Sequence, residues 1–441
     1  MVYHMHTEMN TLDMHSALGV AFRRLPVQSS GGRVSVVGRS TLPQRTFILR
    51  SEGMTLTNQV VATIRSKFPV FKEKIYLNSC SQGALSEQVE AGFMEYLHSW
   101  HEQGSPWELW VEHYEEARGL FARFIGAEPD DVALVASASA GVNSVASAVS
   151  FQQRRKVVLG EFEFPTMGHI WLAQRQRGAE VVFVKASNDR LTVESYDERI
   201  DQDTLIVPLT HICFMNGFRM PTAEITEMAH QRGALVLLDD YQDCGTRPID
   251  VKAMDLDVYV SGTLKYLLGP PGLAFMYVRR SLASSLVPSV TGWFGQANPF
   301  AFDVKLFDPA PGARRFESGT PPIPSIYGAI EGIRLLEEIG MQTVATQVAS
   351  LTKALLDGTR ELGIRTKTPS DSTGPLVVLQ SKEADKLVQQ FAARNLVVSS
   401  RHDGLRISFH VYNTLDDVRA VLQLLEENLY QLVTEPAAID R

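Results

Sequence analysis

The chain has 441 residues, 44% hydrophobic and 21% charged, with a formal net charge of −8. That balance suits a globular enzyme-sized protein with two or more domains, and it disfavours nucleic acid or an anionic membrane as the main partner. No apolar run is long enough to span a bilayer, and Cys80, Cys213 and Cys244 lack metal-ligand spacing, so neither a membrane nor a metal is expected and a reducing, cytoplasmic setting is.

Residues 1–53 differ from the rest. They carry Arg23, Arg24, Arg33, Arg39, Arg45 and Arg50, no lysine, and only Glu8, Asp13 and Glu52 as acids. This composition reads as a disordered extension or an upstream start before Met54. An organelle transit peptide shares the same Arg-rich, acid-poor character.

From Met54 the pattern becomes regular. Apolar runs at Val132–Val135, Val157–Leu159, Val181–Val184, Leu205–Val207, Leu235–Leu238 and Leu273–Tyr277 read as strands. Helix-length stretches lie between several of them, at Gly141–Val149, Thr166–Arg177 and Thr222–Gln231. Continuous apolar strands alternating with helices predict an α/β domain whose mostly parallel sheet is covered on both faces, over residues 54–320. Beyond it, a long helix at Ile326–Ile339 leads into a smaller α+β portion, residues 321–435. Its strands are predicted at Leu376–Leu379 and Leu405–Ser408, and its last helix at Leu415–Leu432, with Thr414 as N-cap. The first part of the large domain is allowed to pack with the small one.

In an open α/β sheet a ligand sits outside the carboxyl ends of the strands. After Val132–Val135 comes Ser137-Ala138-Ser139-Ala140-Gly141, small residues opening a helix. Free amides and the positive end of the helix dipole suit a phosphate there, although a plain tight turn has the same sequence. After Leu235–Leu238 comes Asp239-Asp240-Tyr241-Gln242-Asp243. A carboxylate at a buried strand end is costly without a cation, and a protonated pyridine nitrogen is one candidate; a solvated N-capping loop is the other. After Tyr259–Val260 comes Ser261-Gly262-Thr263-Leu264-Lys265, followed by a Gly/Pro turn. Partial desolvation of such a lysine lowers its amine pKa and favours imine formation. His211 follows the Leu205 strand and is a candidate at the mouth of the site, with a structural histidine equally expected. Trp107 and Trp110, three apart on a helix, suit core packing better than a pocket wall.

Four stretches carry a resemblance: LLDDYQDCG at 237–245, SGTLKYLLGPPGLAFMYV at 261–278, RFESGTPP at 315–322 and LRISFHVYNTLDDV at 405–418. Together they resemble the class V aminotransferases, a family of fold-type I pyridoxal-phosphate enzymes, from about Met54 to Leu432. The resemblance implies a homodimer with its active site at the subunit interface, pyridoxal 5′-phosphate as cofactor and an amino acid as substrate. It implies that Lys265 carries the cofactor as a Schiff base and later moves the Cα proton. Asp239 would pair with the pyridine nitrogen, Gln242 would sit near the phenolic oxygen, and Phe164 would stack on the ring. Ser139 and Ala140 match the phosphate turn, Ser261 and Thr263 would add hydroxyls, and Thr320 would reach the partner subunit's phosphate. Arg406 would clamp the substrate carboxylate, a bidentate task that suits guanidinium.

Within the family the chain is most similar to the kynureninases and the isopenicillin-epimerase-like group, through GWFGQANPFAF at 292–302. Leu264, however, stands where kynureninases place a tyrosine, and no cysteine follows Cys244 to serve as the loop thiol of a desulfurase. The expected activity is a lyase cleaving at Cβ, at a C–S or C–C bond. Transamination and racemisation or epimerisation are the alternatives that begin with the same proton removal.

Overall fold

The computed structural model describes residues 58–371 and 374–434; the extension expected at 1–53 lies outside them. A short strand, β1 (Ile75–Tyr76), precedes the large sheet. That sheet is built from β2 (Val132–Val135), β3 (Lys156–Gly160), β4 (Glu180–Val184), β5 (Thr204–Thr210), β6 (Leu235–Asp239), β7 (Val258–Gly262) and β8 (Ala274–Val278). Their order is β2-β8-β7-β6-β5-β3-β4, and only β8 runs against its neighbours. The chain is therefore α/β with a mixed, mostly parallel sheet, as the alternation of apolar runs and helices predicts.

Both faces of this sheet are covered, which is why its strands are apolar at nearly every position. Val158, Val207, Leu209, Val236 and Leu238 enter the core on one face; Val157, Leu159, Ile206 and Leu237 enter the core on the other. Period-two alternation divides single strands between two cores. The carboxyl ends of β3, β5, β6 and β7 consequently emerge side by side.

A second sheet holds β9 (Leu376–Gln380), β11 (Ser399–Arg401) and β12 (Gly404–Ser408) in the order β11-β12-β9, all antiparallel, while β10 (Leu396–Val397) pairs in parallel with β1. The N-terminal part of the described chain leans on this C-terminal part. Leu77 belongs to the same core as Leu405 and Ile407, Asn78 bridges to Ser408, and Arg65 pairs with Asp417 at 2.8 Å. Helix Ile323–Ile339 instead buries Ile326, Ile330 and Ile333 in the core beneath the large sheet.

Thr414 caps the last helix through a capping box with Asp417. That helix ends at Glu427 rather than Leu432, because Asn428 bonds back to the Leu424 carbonyl at 2.8 Å and a 3-10 turn, Leu429–Gln431, follows. The helix expected to run to Arg177 likewise stops at Ala173 and tightens into a 3-10 turn, which ends at Gly178 with φ of 98°. No helix among the described residues is long and apolar enough to cross a membrane.

Candidate active site

The strand ends enclose a cavity of about 240 Å³. Asp239, Lys265, Phe164, Phe214, Ser137 and Ser139 are among the residues that line it. A larger cavity, about 480 Å³, lies between helices Asn58–Ser66 and Leu415–Glu427. Its arginines Arg65 and Arg419 are already paired with Asp417 and Asp416, so it offers little unbalanced charge to a ligand.

Lys265 follows β7 by three residues, and the backbone around it is clamped. Gly83 donates its N–H to the Leu264 carbonyl at 2.8 Å, and a Cβ on Gly83 would lie 2.3 Å from the Lys265 carbonyl oxygen. His410 holds the next carbonyl, that of Tyr266, at 2.9 Å. Burial pushes the Lys265 amine down to about 8, against the pull of Asp239. Its Nζ makes no ion pair among the described residues; it lies 4.3 Å from the centroid of Tyr241, whose ring packs where a Cβ on Gly262 would stand.

Asp239 ends β6. Burial pushes its carboxyl up to about 6, and it accepts the Tyr241 N–H at 3.0 Å. Beside it in register is Thr210, whose N–H binds Glu163 at 2.7 Å. Glu163 is buried, its second oxygen has no protein partner, and burial holds its pKa well above the usual carboxylate range. This buried carboxyl anchors the turn that presents Phe164. That ring is 46% exposed, meets Phe214 edge-on at 5.1 Å and lies 5.9 Å from Lys265 Nζ.

Ser137 caps helix Ala138–Ala148 by accepting the Ala140 N–H. The first amides of a helix have no partner within it, and those of Ala138 and Ser139 border the cavity. Ser139 is also tied to Thr166 at 3.1 Å. Ala140 is drawn away from the cavity by its bond to Ser137. Gln242 lines the cavity, with Nε2 on the Cys80 carbonyl at 3.1 Å and Oε1 buried without a partner.

Arg406 lies on β12 and is 1% exposed. It donates to the Phe214 carbonyl at 3.1 Å, to Ser81 Oγ at 2.7 Å and to Ser399 Oγ. All these acceptors are neutral, and no acid pairs with the guanidinium among the described residues. A buried charge in this state is poorly compensated until an anion arrives.

Several expected site residues sit elsewhere. The Thr263 hydroxyl, fully buried, binds the carbonyls of Pro270 and Leu273 and shapes the turn after Lys265. The Ser261 hydroxyl is buried against the Gly262 carbonyl. Neither lines the cavity: Ser261 is buried within β7, and Thr263 is taken up by the turn beyond it. His211 is likewise absent from the cavity. It is 1% exposed, with Nδ1 on Asp240 at 2.7 Å and Nε2 facing Arg247 at 2.7 Å and Arg219 at 3.2 Å. Guanidiniums only donate, so Nε2 accepts and Nδ1 carries the proton. Burial raises the Asp243 carboxyl, but Arg219 and Arg247, both bound to it, outweigh that and hold it well below the usual range. His211, Asp240 and Asp243 have the donor types of a metal site, but the arginines already fill it. Trp110 is core, bonded to Ser99 at 3.1 Å, and Trp107 packs on it. Thr320 is exposed, away from this chain's own cavity.

The matches to known proteins follow the same residues. The family model described as Aminotransferase class-V covers residues 75–421. The chain belongs to the class V aminotransferase family. Its cofactor is accordingly pyridoxal phosphate. Among curated relatives, an "Uncharacterized aminotransferase YcbU" of Bacillus subtilis is 33% identical, covering 80% of this chain and 94% of that protein. A cysteine desulfurase of Haloferax volcanii and a kynureninase of Pseudomonas fluorescens are each 26% identical, over 83% and 84% of this chain and 96% and 92% of those proteins. An apo cysteine desulfurase structure from Thermococcus onnurineus shares the fold, with a TM-score of 0.76 at 23% identity, over 84% of this chain and 98% of that one.

The cavity suits the family's cofactor. Asp239 offers a buried carboxylate for a ring nitrogen, Lys265 a low-pKa amine for an aldehyde, and Ala138 and Ser139 amides for a phosphate. Tyr241, Phe214, Ser137, Thr166, Ser81 and Ser399 were not foreseen from sequence. For Ser137 the signal was present, since it is the helix-capping serine of a run already singled out. Ser81 and Ser399 carry no local signal, because they are brought to Arg406 from opposite ends of the chain.

Proposed function

We propose that this chain is a pyridoxal-phosphate-dependent lyase that acts on an amino acid and cleaves at Cβ. The observation that carries the reading is a buried charge imbalance. Among the described residues Arg406 has no acid partner, Lys265 is held near a pKa of 8, and the only carboxylate lining the cavity is Asp239.

The cofactor, when bound, supplies an electron sink for negative charge developing at the substrate Cα. Asp239 would hold a negative charge against the ring nitrogen, Phe164 would cover the ring, and Gln242, whose Nε2 is held by the Cys80 carbonyl while Oε1 is free, would sit near the phenolic oxygen. The helix start at Ser137–Ser139 would hold the phosphate. Arg406 takes the α-carboxylate and so fixes which bond at Cα points at Lys265, whose Nζ then carries the Cα proton. Phe164, Phe214 and Leu264 keep water from the reacting atoms.

The relatives named as a cysteine desulfurase and a kynureninase favour loss of a Cβ substituent. Transamination is the second reading, favoured by the 33% identical relative named as an aminotransferase. We read the working unit as a homodimer, because Ser318, Gly319 and Thr320 are exposed and so are the large apolar Phe300, Phe302 and Leu306. A reducing compartment, the cytoplasm, accords with three buried free thiols.

The test is to incubate pure holoenzyme with a panel of amino acids, with and without a 2-oxo acid. Ammonia with pyruvate, or alanine, formed without the oxo acid supports the lyase. A new amino acid formed only when the oxo acid is present overturns it in favour of transamination.

A further inference from the structure

The β11–β12 hairpin places a second guanidinium beside Arg406. In its register Ser399 faces Arg406 and Arg401 faces Gly404. Side chains alternate along a strand, so Ser399, Arg401 and Arg406 share one face. The contacts agree with that alternation. Ser399 binds Arg406 on this face, whereas the intervening Ser400 turns the other way and binds Asp385 on helix Ala384–Ala392. On β12, Leu405 and Ile407 enter the C-terminal core, while Arg406 points toward Ser81 and Phe214.

Arg401 has no acid partner among the described residues. Its one side-chain bond is to the carbonyl of its own neighbour, Ser400, at 2.7 Å. The nearest acid in sequence, Asp403, is held by Lys367 and Gln380. Burial and the charge of Arg406 both push the Arg401 pKa down, and Lys265 feels both guanidiniums. Two like charges on one face, with no intervening acid, repel each other, and both act on Lys265 at the cavity.

Resting on the reading of this cavity as an amino-acid site, we propose that Arg401 and Arg406 form a two-cation subsite that selects α-amino acids with a second acidic group at the end of the side chain. Asp239 and the helix start are matched by the cofactor's own charges. Arg406 is matched by the α-carboxylate common to every amino acid. Arg401 is the cation left over, and it is exposed on the same face as Arg406, where a compact distal oxyacid would reach it. Guanidinium binds such a group through paired, directional bonds.

The experiment uses holoenzyme at fixed ionic strength and follows the cofactor's visible absorbance and the thermal midpoint during titration. The probes are length-matched pairs: butyrate against succinate, and valerate against glutarate. The wild type is expected to bind one diacid about tenfold more tightly than its matched monoacid, the effect of one added charge-assisted contact. Arg401→Gln is expected to shrink that preference to about twofold or less, and Arg401→Lys to retain part of it. The proposal is overturned if the wild type shows no diacid preference, or if Arg401→Gln keeps it in full. Failure of the cofactor reading is seen separately, as holoenzyme whose visible absorbance does not depend on Lys265.

Discussion

Two clusters of charge flank the end of β6, one residue apart in sequence. Asp239 faces the cavity, and Asp240 faces away from it. Behind the strand, Asp240 accepts from His211 and from Tyr259, both at 2.7 Å, and Asp243 satisfies Arg219 and Arg247. Charge there is matched by charge. In front, Arg406 has only neutral acceptors, Gln242 Oε1 has no donor, and Lys265 forms no ion pair among the described residues. Both clusters are rich in ionisable residues, and both hold a carboxyl shifted from its usual range, Asp239 upward and Asp243 downward. The difference lies in what is left unsatisfied, because a buried polar group without a partner costs free energy that a ligand can recover.

The sharpest way to break this contrast is at Lys265. Lys265→Ala is expected to abolish the cofactor-dependent visible absorbance and to lower turnover on the order of 10⁴-fold, with the thermal midpoint of the apoprotein little changed. Retained absorbance in that variant would sink the assignment. The rear cluster predicts the opposite pattern. Asp243→Ala strands Arg219 and Arg247 and is expected to cost roughly 3 kcal/mol in chemical denaturation. In the protein that still folds, KM should stay within about twofold.

Arg406→Met tests the front cluster directly. It should raise KM on the order of 10²-fold, while folding stability stays equal or rises, since an unpaired buried charge is removed. A stability loss as large as that of Asp243→Ala would make Arg406 a structural residue.

A smaller effect concerns pH. Imine formation needs the neutral amine, and Lys265 is held at about 8. The rate at which apoprotein takes up pyridoxal phosphate should therefore rise about tenfold per unit below pH 8 and level off above it. The same depressed pKa makes folding stability rise with pH between about 8 and the ordinary lysine value, because there the unfolded chain binds the extra proton. A stopped-flow uptake profile flat from pH 6 to 9 would contradict the amine's assignment. The smallest change expected is from Thr263→Val. It removes hydroxyl bonds to Pro270 and Leu273 and should cost about 1 kcal/mol of stability, with cofactor affinity within about twofold.

How much of this was legible beforehand follows from the range of each signal. Strand ends are local, so Asp239 and Lys265 stand out where apolar runs stop, and the Ser137–Gly141 turn announces a helix start. The direction of a hydroxyl at a strand end is not local. Ser261 and Thr263 closely precede the lysine, yet the sheet captures Ser261 and the turn that follows captures Thr263. His211 follows a strand as Asp239 does, but Arg219 and Arg247 close around it, and their approach has no sequence signature. Arg406 was legible as a residue. Its isolation from every acid was not, since it depends on Ser81, Phe214 and Ser399, which lie up to 325 residues away in the chain.

Alternating apolar runs and helices determined the mostly parallel sheet, and four motifs determined the family, because covalent order and periodicity are properties of the sequence itself. Only the tertiary structure decided which charges are matched. A carboxylate and a guanidinium become partners or remain apart according to distances that the folded chain alone creates, and at this site those distances separate Asp239 from Asp240.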